Sequence, residues 1–240
     1  MSARRVLVTG PVESLSDYSR AAAAAGWEPI ELPLLEIEFV DLDAASACAG
    51  AFDRIVITSS TALRFVEAAL LARPKLCGVR ASVVGERTAD KARALGLAAV
   101  DSPARDVDDL ARGLLDEIPK GARVLWPHGD QSDALAHALR SIGVDVVDPV
   151  VYRVRPTRDA APPPAADAVF FASPSAIRAW LARAAHANDS PTVAIAIGRT
   201  THHALLAETA LAFFDTISLP MPTPEAFAHV LGHLDPRARL

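Results

Sequence analysis

Asp53-Arg54-Ile55-Val56-Ile57-Thr58-Ser59-Ser60-Thr61-Ala62-Leu63-Arg64 returns 114 positions later as Asp167-Ala168-Val169-Phe170-Phe171-Ala172-Ser173-Pro174-Ser175-Ala176-Ile177-Arg178. In both copies a short β-branched or aromatic run ends in hydroxyl residues and then takes up helical spacing. Working outward, Val83-Val84-Gly85-Glu86-Arg87-Thr88-Ala89 returns as Ala196-Ile197-Gly198-Arg199-Thr200-Thr201-His202, 113 positions on. Arg5-Val6-Leu7-Val8-Thr9 returns as Arg123-Val124-Leu125-Trp126-Pro127, 118 positions on. This period is too long for a solenoid, whose units run about 20–50 residues. It is the length of a small domain. Two similar domains would build a cleft between them, and such clefts are where small-molecule sites form.

Between these landmarks strands and helices alternate. Strand-like runs fall at Val6–Thr9, Pro29–Leu32, Arg54–Thr58, Ala81–Val84, Arg123–Trp126, Asp145–Asp148, Ala168–Ala172 and Thr192–Ile197. Helical spacing follows at Ser16–Ala25, Thr61–Leu71, Thr88–Leu95, Gln131–Ile142, Ser175–Ala185 and Thr201–Thr209. Alternation of this kind implies βαβ units and a parallel sheet with helices on both faces. Gly26, Gly96 and Gly143 are placed to close helices. Asp106 and Thr223 are natural N-caps for two further helices, Val107–Leu114 and Pro224–Leu231, which also match each other. Two segments break the pattern. Leu32–Val40 and Pro149–Pro156 are extended and could pair as a two-stranded connector. The Ala/Pro-rich stretch Ala160–Ala166 reads as a loop.

The hydroxyl residues sit just after strands and just before helices: Thr9, Thr58-Ser59-Ser60-Thr61, Thr88, Ser173-Pro174-Ser175 and Thr200-Thr201. In an open α/β sheet that is the carboxyl edge, where ligands bind. Hydroxyls and backbone N–H groups at helix N-termini attract anions without basic side chains. Such residues also serve simply as helix caps, worth about 1 kcal/mol each; their recurrence in both halves favours a two-sided anion site. His128 reads as a loop histidine satisfied by its neighbours or as a functional one. His202-His203 read as solvated. Tyr152 lies in the connector, either as an ordinary amphipathic strand residue or facing the cleft.

Composition narrows the classes. The 240 residues are 51% hydrophobic and 22% charged, enough to bury a core. The net charge of −5 lacks the basic footprint of a nucleic-acid binder. No apolar run approaches the roughly 18 residues needed to span a bilayer, and the N-terminal apolar run is too short for a signal-peptide core. Asn188-Asp189-Ser190 matches a glycosylation sequon, which has meaning only in a secreted chain. Cys48 and Cys77 form no metal-spaced cluster and read as free thiols in a reducing cytoplasm. Dinucleotide-binding, P-loop, zinc-protease and serine-elbow motifs are absent, so nothing implies a nucleotide, metal or nucleophilic triad.

Together, Val6-Leu7-Val8-Thr9, Ile57-Thr58-Ser59-Ser60-Thr61-Ala62, Val84-Gly85-Glu86-Arg87-Thr88-Ala89, Val151-Tyr152-Arg153, Phe171-Ala172-Ser173-Pro174-Ser175-Ala176 and Ala196-Ile197-Gly198-Arg199-Thr200-Thr201 resemble the uroporphyrinogen-III synthase family in order and spacing. The resemblance implies two flavodoxin-like parallel-sheet α/β domains joined by a two-stranded β ladder. Residues 1–31 with 157–240 would form a discontinuous domain, 41–149 an inserted one, and 32–40 with 150–156 the linker strands. It implies a lyase that cyclises hydroxymethylbilane to uroporphyrinogen III, inverting ring D and losing water, in tetrapyrrole (haem) biosynthesis. No cofactor or metal would be needed, and the partner would be the linear tetrapyrrole substrate, with no nucleic acid or membrane. A cytoplasmic monomer is the expected form. Tyr152 matches the family's tyrosine that assists the leaving group. Thr88, Thr201, Ser59 and Ser173 match cleft-lining positions, and Thr9, Ser60, Ser175 and Thr200 complete the expected substrate-binding set. The chain departs from the family's pattern at Gly10, where an arginine commonly follows the threonine, and in Trp126–Asp133, which lacks an arginine often found there. A non-catalytic bilobed binding or regulatory module for a small anionic ligand is the alternative reading.

Overall fold

The computed structural model describes residues 4–131, 133–158, 162–184, 193–208, 213 and 215–234, the side chains of Glu13, Ser14 and Ala184 excepted. In chain order the elements are β1 (Arg5–Pro11), α1 (Val12–Ala24), β2 (Glu28–Phe39), α2 (Ala44–Ala47), β3 (Arg54–Ile57), α3 (Leu63–Ala72), β4 (Ala81–Val83), α4 (Glu86–Ala94) and α5 (Val107–Glu117). They continue as β5 (Arg123–Leu125), β6 (His128–Gly129), α6 (Ala134–Ser141), β7 (Asp145–Val147), β8 (Val150–Pro156), β9 (Ala168–Phe171), α7 (Pro174–Ala184), β10 (Val193–Ala196), α8 (Arg199–Ala207), β11 (Asp215–Ser218) and α9 (Pro224–His233). The sequon at 188–190, the strand start at Thr192, the helix ends at Ala185 and Thr209, and residues 160–161 of the loop lie outside the described residues.

The chain forms two compact units, Met1–Ile37 with Arg155–Leu240, and Glu38–Val154. The first carries the strand order β11-β10-β9-β1-β2. The second carries β4-β3-β5-β7. Every strand pair recorded within these two runs is parallel. Outside β4, isolated parallel bridges at Ala81–Val100 and Val84–Ala104 add a strand-like edge. The two units therefore share one order of strands. The duplicated sequence is exchanged between them: β1 opens the chain but pairs with β9, and β3 pairs with β5 from the second copy.

Parallel strands covered on both faces read as continuous apolar runs. Ile55 and Ile57 of β3 enter one core cluster with Phe65, Val66, Ala69 and Val83. Val56, between them, enters another with Leu110, Leu114, Val124, Leu135 and Leu139. This is the period-2 alternation of a strand, with α3 and α4 on one face and α5 and α6 on the other. In the first unit Val6, Val8, Phe170 and Ile195 face α1 and α9. There Phe170 stacks on Tyr18, with centroids 4.6 Å apart, and meets Phe227 at 4.5 Å. On the opposite face Phe171 meets Trp180 of α7 edge-on at 5.7 Å.

The helix ends follow local chemistry. Asp106 accepts from the Asp109 N–H at 2.8 Å, and Thr223 accepts from Ala226 N–H at 3.3 Å. Gly26, Gly96 and Gly143 close helices with left-handed φ of 80, 93 and 85°. Leu32–Val40 pairs with β8, as expected of the two-stranded ladder, and is also continuous with the strand before it as β2, which pairs with β1 through Leu35. β8 neighbours β2 on the side away from β1. The Thr157 N–H donates to Leu34 O and the Val40 N–H to Val151 O, each at 3.0 Å, so β2 and β8 run antiparallel. α1 begins at Val12, earlier than the helical spacing from Ser16 suggests.

A charged cluster closes the amino edge of the second sheet. Arg54, which is buried, donates to Ser82 Oγ at 2.9 Å and to Asp101 Oδ2 at 2.6 Å. Ser82 Oγ donates to the same carboxylate at 2.6 Å, and Arg80 closes the ring. Burial pushes the Asp101 pKa up, but hydrogen bonds from Ser82 and Arg80 and the charges of Arg54 and Arg80 outweigh it and leave the group below its usual range. A depressed carboxylate stabilises the fold above its unfolded pKa of about 3.9, and that contribution is lost as pH falls through the folded pKa. Asp101→Asn is therefore expected to cost about 1.5–3 kcal/mol at pH 7, the range for a hydrogen bond to a charged group. Denaturant titrations should show this deficit shrinking below about pH 4; a deficit of equal size at pH 7 and pH 3 would assign it to packing.

Candidate functional site

The carboxyl edges of the two sheets are built alike. In the second unit, β3 runs out through Thr58 to Ser59, whose hydroxyl accepts from the Thr61 N–H at 3.2 Å. In the first unit, β9 runs out to Ser173, whose hydroxyl accepts from the Ala176 N–H at 3.2 Å. Both serines are caps, each satisfying one of the donors that a helix start leaves open. Ser60 opens the one-turn helix Ser60–Ala62, and Ser175 accepts from Arg178 at 3.0 Å.

The next strand in each unit ends differently. Gly85 precedes α4 with φ 78°, and Gly198 precedes α8 with φ −178°. Neither has a side chain to cap the helix, and no side-chain cap hydrogen bond is made at either start; an uncapped helix start is a general anion-binding feature. Thr88 and Thr201 occupy the third residue of these helices and are 7% and 3% exposed. Thr200 is exposed beside Thr201. Each uncapped end also carries an arginine, Arg87 in α4 and Arg199 in α8. A cation is unfavourable at a helix start by itself and fits an end that receives an anion. Sequence reasoning centred on hydroxyls misses both arginines, although their place in the first helical turn is a signal that could find them.

Thr9 stands apart from this set. It is 0% exposed, and its hydroxyl donates to Phe170 O at 2.7 Å, tying β1 to β9. The structure brings Ser173, Ser175, Thr200 and Thr201 to the carboxyl edge of the first unit, and Ser59, Ser60 and Thr88 to that of the second. Thr9 is engaged within the sheet.

Tyr152 lies in β8 of the second unit, half-buried against the cluster that holds Val151 and Leu125. In the short segment after β5, Gly129 pairs with it across β6 and β8. Trp126 donates through Nε1 to Thr58 Oγ1 at 3.1 Å, and its ring stacks on His128 with centroids 4.2 Å apart. His128 is buried, with Nδ1 2.8 Å from Gly129 O and Nε2 3.2 Å from Asp148 O. That is a histidine satisfied by its surroundings. His202 is half-buried, with Nε2 3.3 Å from Thr216 Oγ1, so it is anchored where full solvation was expected; His203 is exposed.

Cys48 and Cys77 are free. Burial pushes the Cys48 thiol up to about 11, against a small opposing effect from Arg73, so it stays protonated and inert. Among the described residues no group of three His, Cys, Asp or Glu side chains could hold a metal, and no helix is long and apolar enough to cross a membrane.

A pair of like-ordered parallel α/β sheets, each with a capped and an uncapped helix start at its carboxyl edge, defines a two-unit α/β protein. The family model described as uroporphyrinogen-III synthase HemD matches residues 16–210, and the chain belongs to that family. The uroporphyrinogen-III synthase of Synechococcus elongatus is 30% identical over 166 residues, covering 63% of this chain and 61% of that protein's length. Among solved structures, uroporphyrinogen-III synthetase from Helicobacter pylori 26695 is similar with a TM-score of 0.65 at 20% identity, over 95% of this chain and 97% of that one. A mutant uroporphyrinogen III synthase from the extremely thermophilic bacterium Thermus thermophilus gives 0.61 at the same identity and coverage. These structural likenesses establish the fold.

Proposed function

We propose that this chain is a uroporphyrinogen-III synthase, closing hydroxymethylbilane to uroporphyrinogen III with inversion of ring D and loss of water. The observation that carries the reading is membership of the family across residues 16–210. The chemistry of the two sheet edges supports it. A polycarboxylate substrate suits uncapped helix starts, which bind anions through backbone N–H groups, with Arg87 and Arg199 adding charge. The reading takes Ser59, Ser60, Thr88, Ser173, Ser175, Thr200 and Thr201 as substrate-binding residues. Thr9 serves this edge indirectly: its buried hydroxyl, donated to Phe170 O, ties β1 to β9 without contacting substrate.

Tyr152 is the proposed acid. Departure of the terminal hydroxyl as water needs a proton, and a phenol supplies one while being neutral as the many carboxylates bind, becoming a phenolate beside the cation it helps to form. Among the described residues the Tyr152 hydroxyl makes no hydrogen bond to the protein, which leaves it available. The C–O bond breaks as the phenol proton moves to the leaving oxygen. The resulting azafulvene-like cation is attacked by the ring D carbon to give the spiro intermediate. Rearrangement and closure release a proton from pyrrole carbon, which restores the phenol, so the balance is loss of one water. No redox partner enters. The reading extends to a monomer in the cytoplasm, supported by the two free thiols; light scattering should give the mass of one chain.

Tyr152→Phe should lower the rate of type III formation at least tenfold, within the roughly 10²–10⁴-fold range of general-acid assistance, while binding of product persists. Initial rates and isomer ratio, read by chromatography after oxidation to porphyrins, decide it. An unchanged rate and isomer purity would make Tyr152 a packing residue.

Thr88→Ala and Thr201→Ala should each weaken tetrapyrrole binding by about tenfold or less, the scale of a neutral hydrogen bond of roughly 0.5–1.5 kcal/mol. The double variant should lose more than either. Calorimetric titration with unaltered affinity in both single variants, their folds intact, would remove the hydroxyls from the binding site.

A further inference from the structure

The segment His128-Gly129-Asp130 does more than connect β5 to α6. It pairs with β8 in parallel, His128 with Val150 and Gly129 with Tyr152, so one step on β6 spans two on β8. The extra residue, Val151, is a β-bulge, a device that re-aims the side chain beside it. In a regular strand neighbouring residues face opposite sides of the sheet. Here Val151 is buried in the same core cluster against which Tyr152 packs.

The phenol then lies where a side chain of Gly129 would be. A Cβ at residue 129 would fall 2.5 Å from Tyr152 Cε2, 2.6 Å from Cζ and 2.9 Å from the hydroxyl oxygen. Real Cβ atoms do not approach ring atoms so closely, and the three nearest atoms all belong to this one side chain. Backbone bonds fix the platform on both sides of the tyrosine. His128 N–H donates to Pro149 O at 3.1 Å and Asp130 N–H to Tyr152 O at 3.2 Å. Val154 N–H donates to Asp130 Oδ1 at 3.2 Å. The His128 ring lies between Gly129 O and Asp148 O and stacks on Trp126, which fixes the Gly129 carbonyl.

We infer that Gly129 is a positioning residue for the reaction: the absence of a side chain there lets the Tyr152 phenol lie close against the β6 backbone and sets where its hydroxyl sits. The inference rests on the acid role proposed for Tyr152, and one comparison separates the two. The wild type, Gly129→Ala, Tyr152→Phe and the double variant are assayed for kcat, KM and isomer ratio with hydroxymethylbilane. Gly129→Ala should lower kcat at least tenfold with KM changed less than threefold, and should add nothing in the Tyr152→Phe background. Wild-type kcat in Gly129→Ala, or losses that multiply in the double variant, would overturn the positioning role. Wild-type kcat in Tyr152→Phe would instead overturn the acid role. In that event, and equally if Gly129→Ala fails to fold, the steric claim is read from thermal midpoints. Gly129→Ala should lower the midpoint of the wild type but not that of Tyr152→Ala, where the ring is gone. An equal fall in both would overturn it.

Discussion

Both sheets depend on the same reciprocal contact between distant parts of the chain. The Arg123 N–H donates to Asp53 Oδ2 at 2.7 Å while the Asp53 N–H donates to Arg123 O at 2.8 Å. The Arg5 N–H donates to Asp167 Oδ2 at 2.7 Å while the Asp167 N–H donates to Arg5 O at 2.9 Å. A parallel pair cannot be closed by a tight turn, so its register must be set by other means. Here a carboxylate at the amino end of one strand seizes the first N–H of its neighbour. A one-residue slip would turn every apolar side chain of a short strand such as Ile55-Val56-Ile57 to the wrong face. It would also misplace the loops at the carboxyl edge, where Ser59, Thr88, Ser173 and Thr201 stand. The aspartates are thus the structural reason that a charged residue precedes each apolar run in the duplicated sequence.

Much of this architecture was legible in the chain because parallel strands buried on both faces need unbroken β-branched or aromatic residues, and these stand out. The duplicated motifs carried more, since Arg5 and Arg123 mark equivalent strands whose partners come from the opposite copy. Three features escaped. β11, Asp215–Ser218, is half-buried throughout and lacks an apolar run. β6 is two residues long and contains a glycine. The continuity of β2 was obscured by Pro33, which cannot donate to a ladder; its carbonyl instead accepts from Thr157 Oγ1 at 3.0 Å.

At the site, residue types were easier to read than their employment. Sequence places hydroxyls at helix starts but does not distinguish a cap from a free donor. The structure separates them: Ser59 and Ser173 spend their oxygens on the following turn, Thr9 spends its hydroxyl on Phe170, and the helix starts after Gly85 and Gly198 are left without a side-chain cap. The platform under Tyr152 was not legible at all, because it depends on a bulge at Val151 and on what Gly129 lacks. Gly129 is remote from Tyr152 in the sequence, and only the parallel pairing of β6 with β8 sets them side by side.

The central claim is that this chain directs the closure of a linear tetrapyrrole toward the inverted isomer. Hydroxymethylbilane closes to the type I isomer without help, so the isomer formed reports on the protein directly. Fresh hydroxymethylbilane is incubated with the purified chain, with no added metal or cofactor, and the products are oxidised and separated by chromatography. The account predicts that type III predominates and that the substrate disappears faster than in buffer. Type I alone, formed at the buffer rate, would contradict it.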